Sequence, residues 1–251
     1  MNFPLIADPG FYFIAIPATL LMGLSKSGFL SGFGAVATPL LALVVPVPQA
    51  AAIMLPLLLV MDATGLQQLW RERDAALLKL LLPAGLLGTA LGTLLFGVLS
   101  AKTVAAVVGA LTLLFLAQRL VLTPRADARP APRWLGRLLA VASGFTSFVA
   151  HAGSPPINAY VLPLRMRAMA YAGTMSVFFA ALNLSKLAPY AWLGLLDIRN
   201  MSTALILLPL APLGVWLGLW LARRIGSHWF YTIAYAGMFC TGVKLLWDGL
   251  R

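Results

Sequence analysis

Three ionisable side chains stand inside stretches that are otherwise apolar: Lys26 in GLSKSGF, Asp62 in LLVMDATG and Lys186 in ALNLSKLAP. A charge taken out of water is costly unless it is paired or put to use. Asn183 precedes Lys186 by three residues, so a helix sets both on one face. Two cations and one acid leave the set net positive, the sign that attracts an anion. Each residue also has a plainer reading. A lysine near a helix end can carry its ammonium to a polar boundary along its own stem. Asp62 can serve as the buried partner of one lysine, or as a proton carrier that couples a cycle. His151 opens the run HAGSPP and titrates near neutrality, so it suits a substrate donor or proton carrier as well as a structural hydrogen bond. No second His or Cys stands at ligand spacing, so neither a metal nor a cofactor is expected.

Glycine, serine and proline surround these residues. The run 25–34, SKSGFLSGFG, and the run 151–156, HAGSPP, each interrupt an apolar stretch. Helix halves restarting after Gly34 and after Pro155/Pro156 would point N-terminal N–H groups and positive dipole ends inward, where an anion can bind. Thr38, Ser147 and Ser154 would add hydroxyl donors. The other reading of Gly and Ser is close helix packing. That is the expectation for Gly88, Gly92, Gly214 and Gly218, while Pro83 and Pro209 read as kinks.

The elements that must position these residues follow from composition. Of 251 residues, 61% are hydrophobic and 10% charged, against about 25% charged in soluble domains. The net charge of +11 would point to nucleic acid in a soluble domain; in so apolar a chain it does not, and a membrane protein remains. A single cysteine, Cys240, excludes a disulfide framework and a thiolate metal cluster. The opening MNFPLIADPG has no basic residue before its apolar run and does not read as a cleaved signal peptide. A helix of roughly 20 apolar residues spans a bilayer. Eight apolar segments are expected, at 11–46, 49–69, 77–97, 103–122, 136–163, 169–196, 201–222 and 229–247, which makes an all-α polytopic fold. The first and fifth carry the breaks. In lipid a broken helix persists only where protein or a water-filled cavity receives its backbone.

The chain reads as a duplicated half. Residues 27–39, SGFLSGFGAVATP, align without gaps to 143–155, SGFTSFVAHAGSP, with Thr38 opposite Ser154. Pro83, Gly88 and Gly92 match Pro209, Gly214 and Gly218, and Met54 and Asp62 align with Met175 and Asn183. The halves are taken as 1–122 and 136–251, joined by a Pro- and Arg-rich linker at 123–135. Basic loops at 71–79 and 119–137 are expected on the cytoplasmic side. Arg165/Arg167 and Arg223/Arg224 join them if segment five is a re-entrant hairpin. Each half then holds one hairpin and three spans, an odd count that inverts the repeats, as in many transporters.

The stretches 23–43 (GLSKSGFLSGFGAVATPLLAL), 144–163 (GFTSFVAHAGSPPINAYVLP) and 178–194 (FFAALNLSKLAPYAWLG) resemble the TauE/SafE family of sulfite exporters. The resemblance covers nearly the whole chain, and the HAGxPP and N-x-x-K blocks are its most specific parts. Where the family commonly has Gly-Gly before the prolines, this chain has Ser154 as the second residue. The resemblance implies transport of sulfite, sulfonates or related small sulfur-containing anions across the cytoplasmic (inner) membrane. Lys26, Thr38, His151, Ser154, Asn183 and Lys186 would then surround a small oxyanion, with Asp62 as the coupling candidate. A passive anion channel and an intramembrane transferase using Asp62 and His151 are the alternatives. No nucleic-acid partner is expected. The partners are the anion and the lipid bilayer, and the small-residue faces could also serve a homodimer.

Overall fold

A computed structural model describes residues 5–6, 8–27, 34–96, 100, 102–103, 106, 109–110, 113, 116–117, 131–224 and 227–251. Most of the expected segment 103–122, residues 28–33 of the first break and residues 123–130 of the linker lie outside the described residues. Every described element is helical. In chain order they are α1 (Pro9–Lys26), α2 (Gly34–Leu41), α3 (Val47–Leu69), α4 (Ala75–Leu94), α5 (Arg133–Ala150), α6 (Ser154–Val161), α7 (Ala168–Ser185), α8 (Leu187–Trp192), α9 (Ile198–Leu207), α10 (Leu210–Arg224) and α11 (Ser227–Leu250), with short 3₁₀ turns at Trp70–Glu72 and Leu162–Leu164. Among the described residues, 48–72, 75–94 and 168–192 are long and apolar enough to cross a membrane, and α9 with α10 makes a fourth such run bent by 43°. The bend falls at Pro209, as its sequence suggested; Pro83 lies within α4, which runs unbroken.

Acidic residues are scarce, and three of the seven start helices. Asp8 accepts from the N–H of Gly10, Asp74 from those of Ala76 and Leu77, and Asp197 from that of Asn200. Each satisfies donors that a helix start leaves open. Large apolar side chains face outward along the helices, including Phe13, Leu87, Leu94, Leu205 and Leu213, and Trp70, Trp134, Trp229 and Trp247 are all more than half or half exposed. An apolar exterior of this kind belongs in lipid.

Both broken segments have an 18-residue limb followed by an eight-residue limb: α1 then α2, α5 then α6. At 1.5 Å per residue these are about 27 Å and 12 Å long. The longer limb of segment five nearly matches a bilayer core, so only its second limb is too short to span. That limb folds back along the first. Gly153 lies against the Ser143 carbonyl, and Gly136, near the start of α5, lies against the Tyr160 ring near the end of α6. The gapless alignment of 27–39 with 143–155 does not carry into these boundaries. Ser27 follows the end of α1 whereas Ser143 is inside α5, and Thr38 is well inside α2 whereas Ser154 opens α6.

Glycines bring helices into backbone contact at two crossings. Gly88 and Gly144 set α4 against α5, where an added Cβ would strike the carbonyl oxygens of Val141 and Gly85. Gly23, Gly214 and Gly218 do the same for α1 and α10. Between them α3 and α7 pack antiparallel, with Asp62 beside Asn183, Gly65 beside Ser176 and Leu69 beside Gly173. Ile6 bonds Thr203 and Gln49 bonds Asn200, so the starts of α1, α3 and α9 share one end of the bundle. At the other end Arg167 pairs with Glu72 in the loop after α3. Gly88→Val is expected to destabilise the fold by about 2 kcal/mol or more, because backbone rather than a flexible side chain must yield. A lowered melting temperature in detergent, by size-exclusion of heated samples, checks this.

Candidate functional site

The break after α5 is built on His151, whose φ of 53° lies in the left-handed region. Non-glycine residues seldom adopt it, and His is among those that tolerate it best. The turn exposes backbone that a bilayer cannot solvate, and neighbouring hydroxyls receive it. Ser143 Oγ donates to the Gly153 carbonyl at 2.7 Å, and Thr146 Oγ1 to that of Ala152 at 3.0 Å. Tyr190 donates to the Phe148 carbonyl at 2.7 Å. The N–H of His151 reaches Ser147 O, and that of Ala152 reaches Thr146 O.

Lys186 completes the cap. It ends α7, is wholly buried, and its Nζ lies 2.7 Å from Ser147 O, 2.8 Å from Ser147 Oγ, 2.8 Å from Asn183 Oδ1 and 3.1 Å from His151 Nδ1. A cation at the C-terminal end of α5 also meets the negative pole of that helix. His151 Nε2 lies 3.0 Å from the Ala51 carbonyl, which only accepts, so Nε2 carries the proton and Nδ1 faces Lys186 with its lone pair. Asn183 turns its other end to Asp62, Nδ2 donating to Oδ2 at 2.6 Å. Lys26 donates to Asp62 Oδ1, also at 2.6 Å, and its ammonium stands 5.0 Å from the centre of the Phe179 ring. The result is one continuous chain: Lys26, Asp62, Asn183, Lys186, His151, Ala51.

A cavity opens beside this chain. Its polar wall is Ser25, Lys26, Ser147, His151, Ser154 and Asn183. Its apolar wall is Met22, Leu58, Tyr171, Met175 and Phe179. Four of the residues singled out from sequence as substrate ligands therefore share one cavity: Lys26, His151, Ser154 and Asn183. Two do not line it. Lys186 stands behind Asn183, Ser147 and His151 with its donors spent on them. It does not snorkel to a boundary. Thr38 is buried, and its hydroxyl has no partner among the described residues. Asp62 is 3% exposed and is held by Lys26 and Asn183, the buried pairing that its sequence left open.

The helix starts that flank the cavity are less rich in donors than the sequence promised. Ser25 Oγ already takes the Gly34 N–H of α2 at 3.0 Å. The α6 start lies at Ser154, not after the prolines, and Pro155 and Pro156 occupy its second and third positions. Proline has no N–H, so two of the usual free donors are missing there. Ser25 and Tyr171 were not foreseen. Ser25 carries no charge, and Tyr171 gives no sequence signal beyond an aromatic in an apolar run; its hydroxyl donates to the buried Asn158.

Among the described residues, an all-helical apolar bundle, a helix broken beside a cavity and a lysine on the cavity wall are features that suit a membrane transport protein. The family model described as sulfite exporter TauE/SafE matches residues 15–245, and the chain belongs to that family. No curated protein and no solved structure matches it.

Removing the Tyr190 hydroxyl leaves the Phe148 carbonyl buried and unpaired. Tyr190→Phe is expected to cost about 1–3 kcal/mol of stability, read as a lower melting temperature in detergent. Lys186→Met strands three acceptors at once and is expected to cost more than Tyr190→Phe in the same measurement.

Proposed function

We propose that the protein moves small sulfur-containing anions, sulfite or organosulfonates, across the cytoplasmic membrane by alternating access at this cavity. Lys26 carries the reading: an ammonium on the cavity wall with one bond to Asp62, leaving further N–H donors to face an anion. Ser154, His151 and Asn183 stand on the same wall as short-range partners, and Lys186 supplies positive charge from behind them. Thr38 would act only if the cavity changed shape to reach it.

Two duplicated halves, 1–122 and 136–251, joined by 123–135 and inverted with respect to each other, account for several features together. The hairpins share their 18- and eight-residue limbs. The aligned helices α3 and α7 lie antiparallel, as inverted copies must. The aligned glycines of α4 and α10 each receive the opening helix of the other half. Rocking of one half against the other would open the cavity to either side. The basic residues of 71–79, 133–137 and 165–167 would mark the cytoplasmic end, with loop 119–137 on that side. Asp62 and His151 are the two proton-carrier candidates; both are fully hydrogen-bonded here, and of the two His151 lines the cavity while Asp62 is held by Lys26 and Asn183. A homodimer through further small-residue faces would be compatible with Gly88 and Gly214 being used inside the chain.

Purified protein in liposomes loaded with sulfite should release it, and Lys26→Gln should slow that release about tenfold or more, the worth of one charge-assisted hydrogen bond. Release by Lys26→Gln at the wild-type rate would remove the proposed site. Counterflow driven by external sulfite would separate a carrier from an open pore.

A further inference from the structure

The charge of the site can be counted from hydrogen-bond donors. Ser147 O, Asn183 Oδ1 and His151 Nδ1 all approach Lys186 Nζ as pure acceptors, because Asn183 Nδ2 is turned to Asp62 and His151 Nε2 carries its proton toward Ala51 O. Three acceptors need three N–H groups, which an ammonium has and a neutral amine does not. His151, with one nitrogen accepting and the other donating, is neutral. Lys26 and Asp62 cancel at 2.6 Å. Among the described residues, no other Asp, Glu, Lys, Arg or His lines the cavity or bonds into this chain. Two lysines against one aspartate leave a single positive charge, fixed at Lys186 and shared with the cavity through Asn183, Ser147 and His151.

We infer that Asp62 sets the charge class of the anion the site accepts, so that with its carboxylate in place the cavity selects monoanions over dianions. In a buried, weakly polarisable setting each unmatched unit of charge is expensive, so one fixed positive charge pairs with one negative charge. Asp62 does not line the cavity and does not touch the anion. It acts through Lys26 and Asn183 as a charge-setting residue. Asp62→Asn keeps the size and an oxygen for Lys26, at the cost of setting its own amide donor against Asn183 Nδ2, and raises the count from one positive charge to two, which moves preference toward dianions. Asp62→Glu keeps the count. This deepens the transport reading and rests on it.

The probes are methanesulfonate and sulfate, which carry one and two negative charges on similar sulfur–oxygen frames. Their half-effective concentrations for raising the melting temperature of the detergent-purified protein, and for blocking sulfite release from liposomes, are compared. Wild type should respond to methanesulfonate at about tenfold lower concentration than to sulfate, Asp62→Asn should shift that ratio toward sulfate by about tenfold or more, and Asp62→Glu should keep the wild-type ratio. A wild-type preference for sulfate overturns the inference even if Asp62→Asn does not fold. So does an unshifted ratio in a folded Asp62→Asn. Sulfite release with no such preference leaves the transport reading standing and the inference fallen, whereas no release and no response to either anion overturns both.

Discussion

The buried ammonium of Lys186 is the constraint around which the rest is arranged. A fully enclosed cation is tolerable only with its donors satisfied, and here the partners come from three directions: the last turn of α5, the left-handed turn at His151 and the preceding turn of α7. Satisfying it therefore fixes where α5 stops, how the chain reverses into α6 and where α7 gives way to α8. The same bond network orients Asn183 and through it Asp62, which in turn holds Lys26 on the cavity wall. Position of the ligand-facing groups is thus set from behind, by groups that do not face the cavity themselves.

The remaining architecture serves to bring those groups together without water. Segment five could not break in lipid if its carbonyls were left bare, and Ser143, Thr146 and Tyr190 take them one by one. Glycines at the α4–α5 and α1–α10 crossings let the long limbs α5 and α1 sit backbone to backbone with α4 and α10. The long limbs are thereby held as rigid supports, and the polar chemistry is confined to their inner ends.

Much of this was legible in the sequence because bilayers penalise exceptions. Lys26, Asp62 and Lys186 were conspicuous as charges in apolar runs, and the Gly–Ser–Pro interruptions marked where helices break. What the sequence could not show was which way each side chain turns. Lys186 and Lys26 look alike in a string of letters, yet one spends its donors on protein and the other lines the cavity. Thr38 and Ser154 align, but the element boundaries differ between the two aligned stretches, so one hydroxyl is buried in α2 and the other opens α6. Asp62 and Asn183 matched as equivalents; their direct bond depends on antiparallel packing of α3 and α7, which is a property of the assembled bundle.

That bond bears on how such a chain could arise. If the two halves descend from one sequence, equivalent positions that touch across a two-fold axis once held the same residue. Two aspartates at this separation would set like charges against each other unless they shared a proton, and two asparagines would leave Lys26 without a counter-ion. A mixed pair gives one hydrogen bond and one carboxylate with no shared proton to keep in place, and two identical subunits cannot supply a mixed pair at their own axis. On that premise, fusion of the halves into a single gene would free the two positions to differ, and a carboxylate beside an amide would then hold its charge without a shared proton.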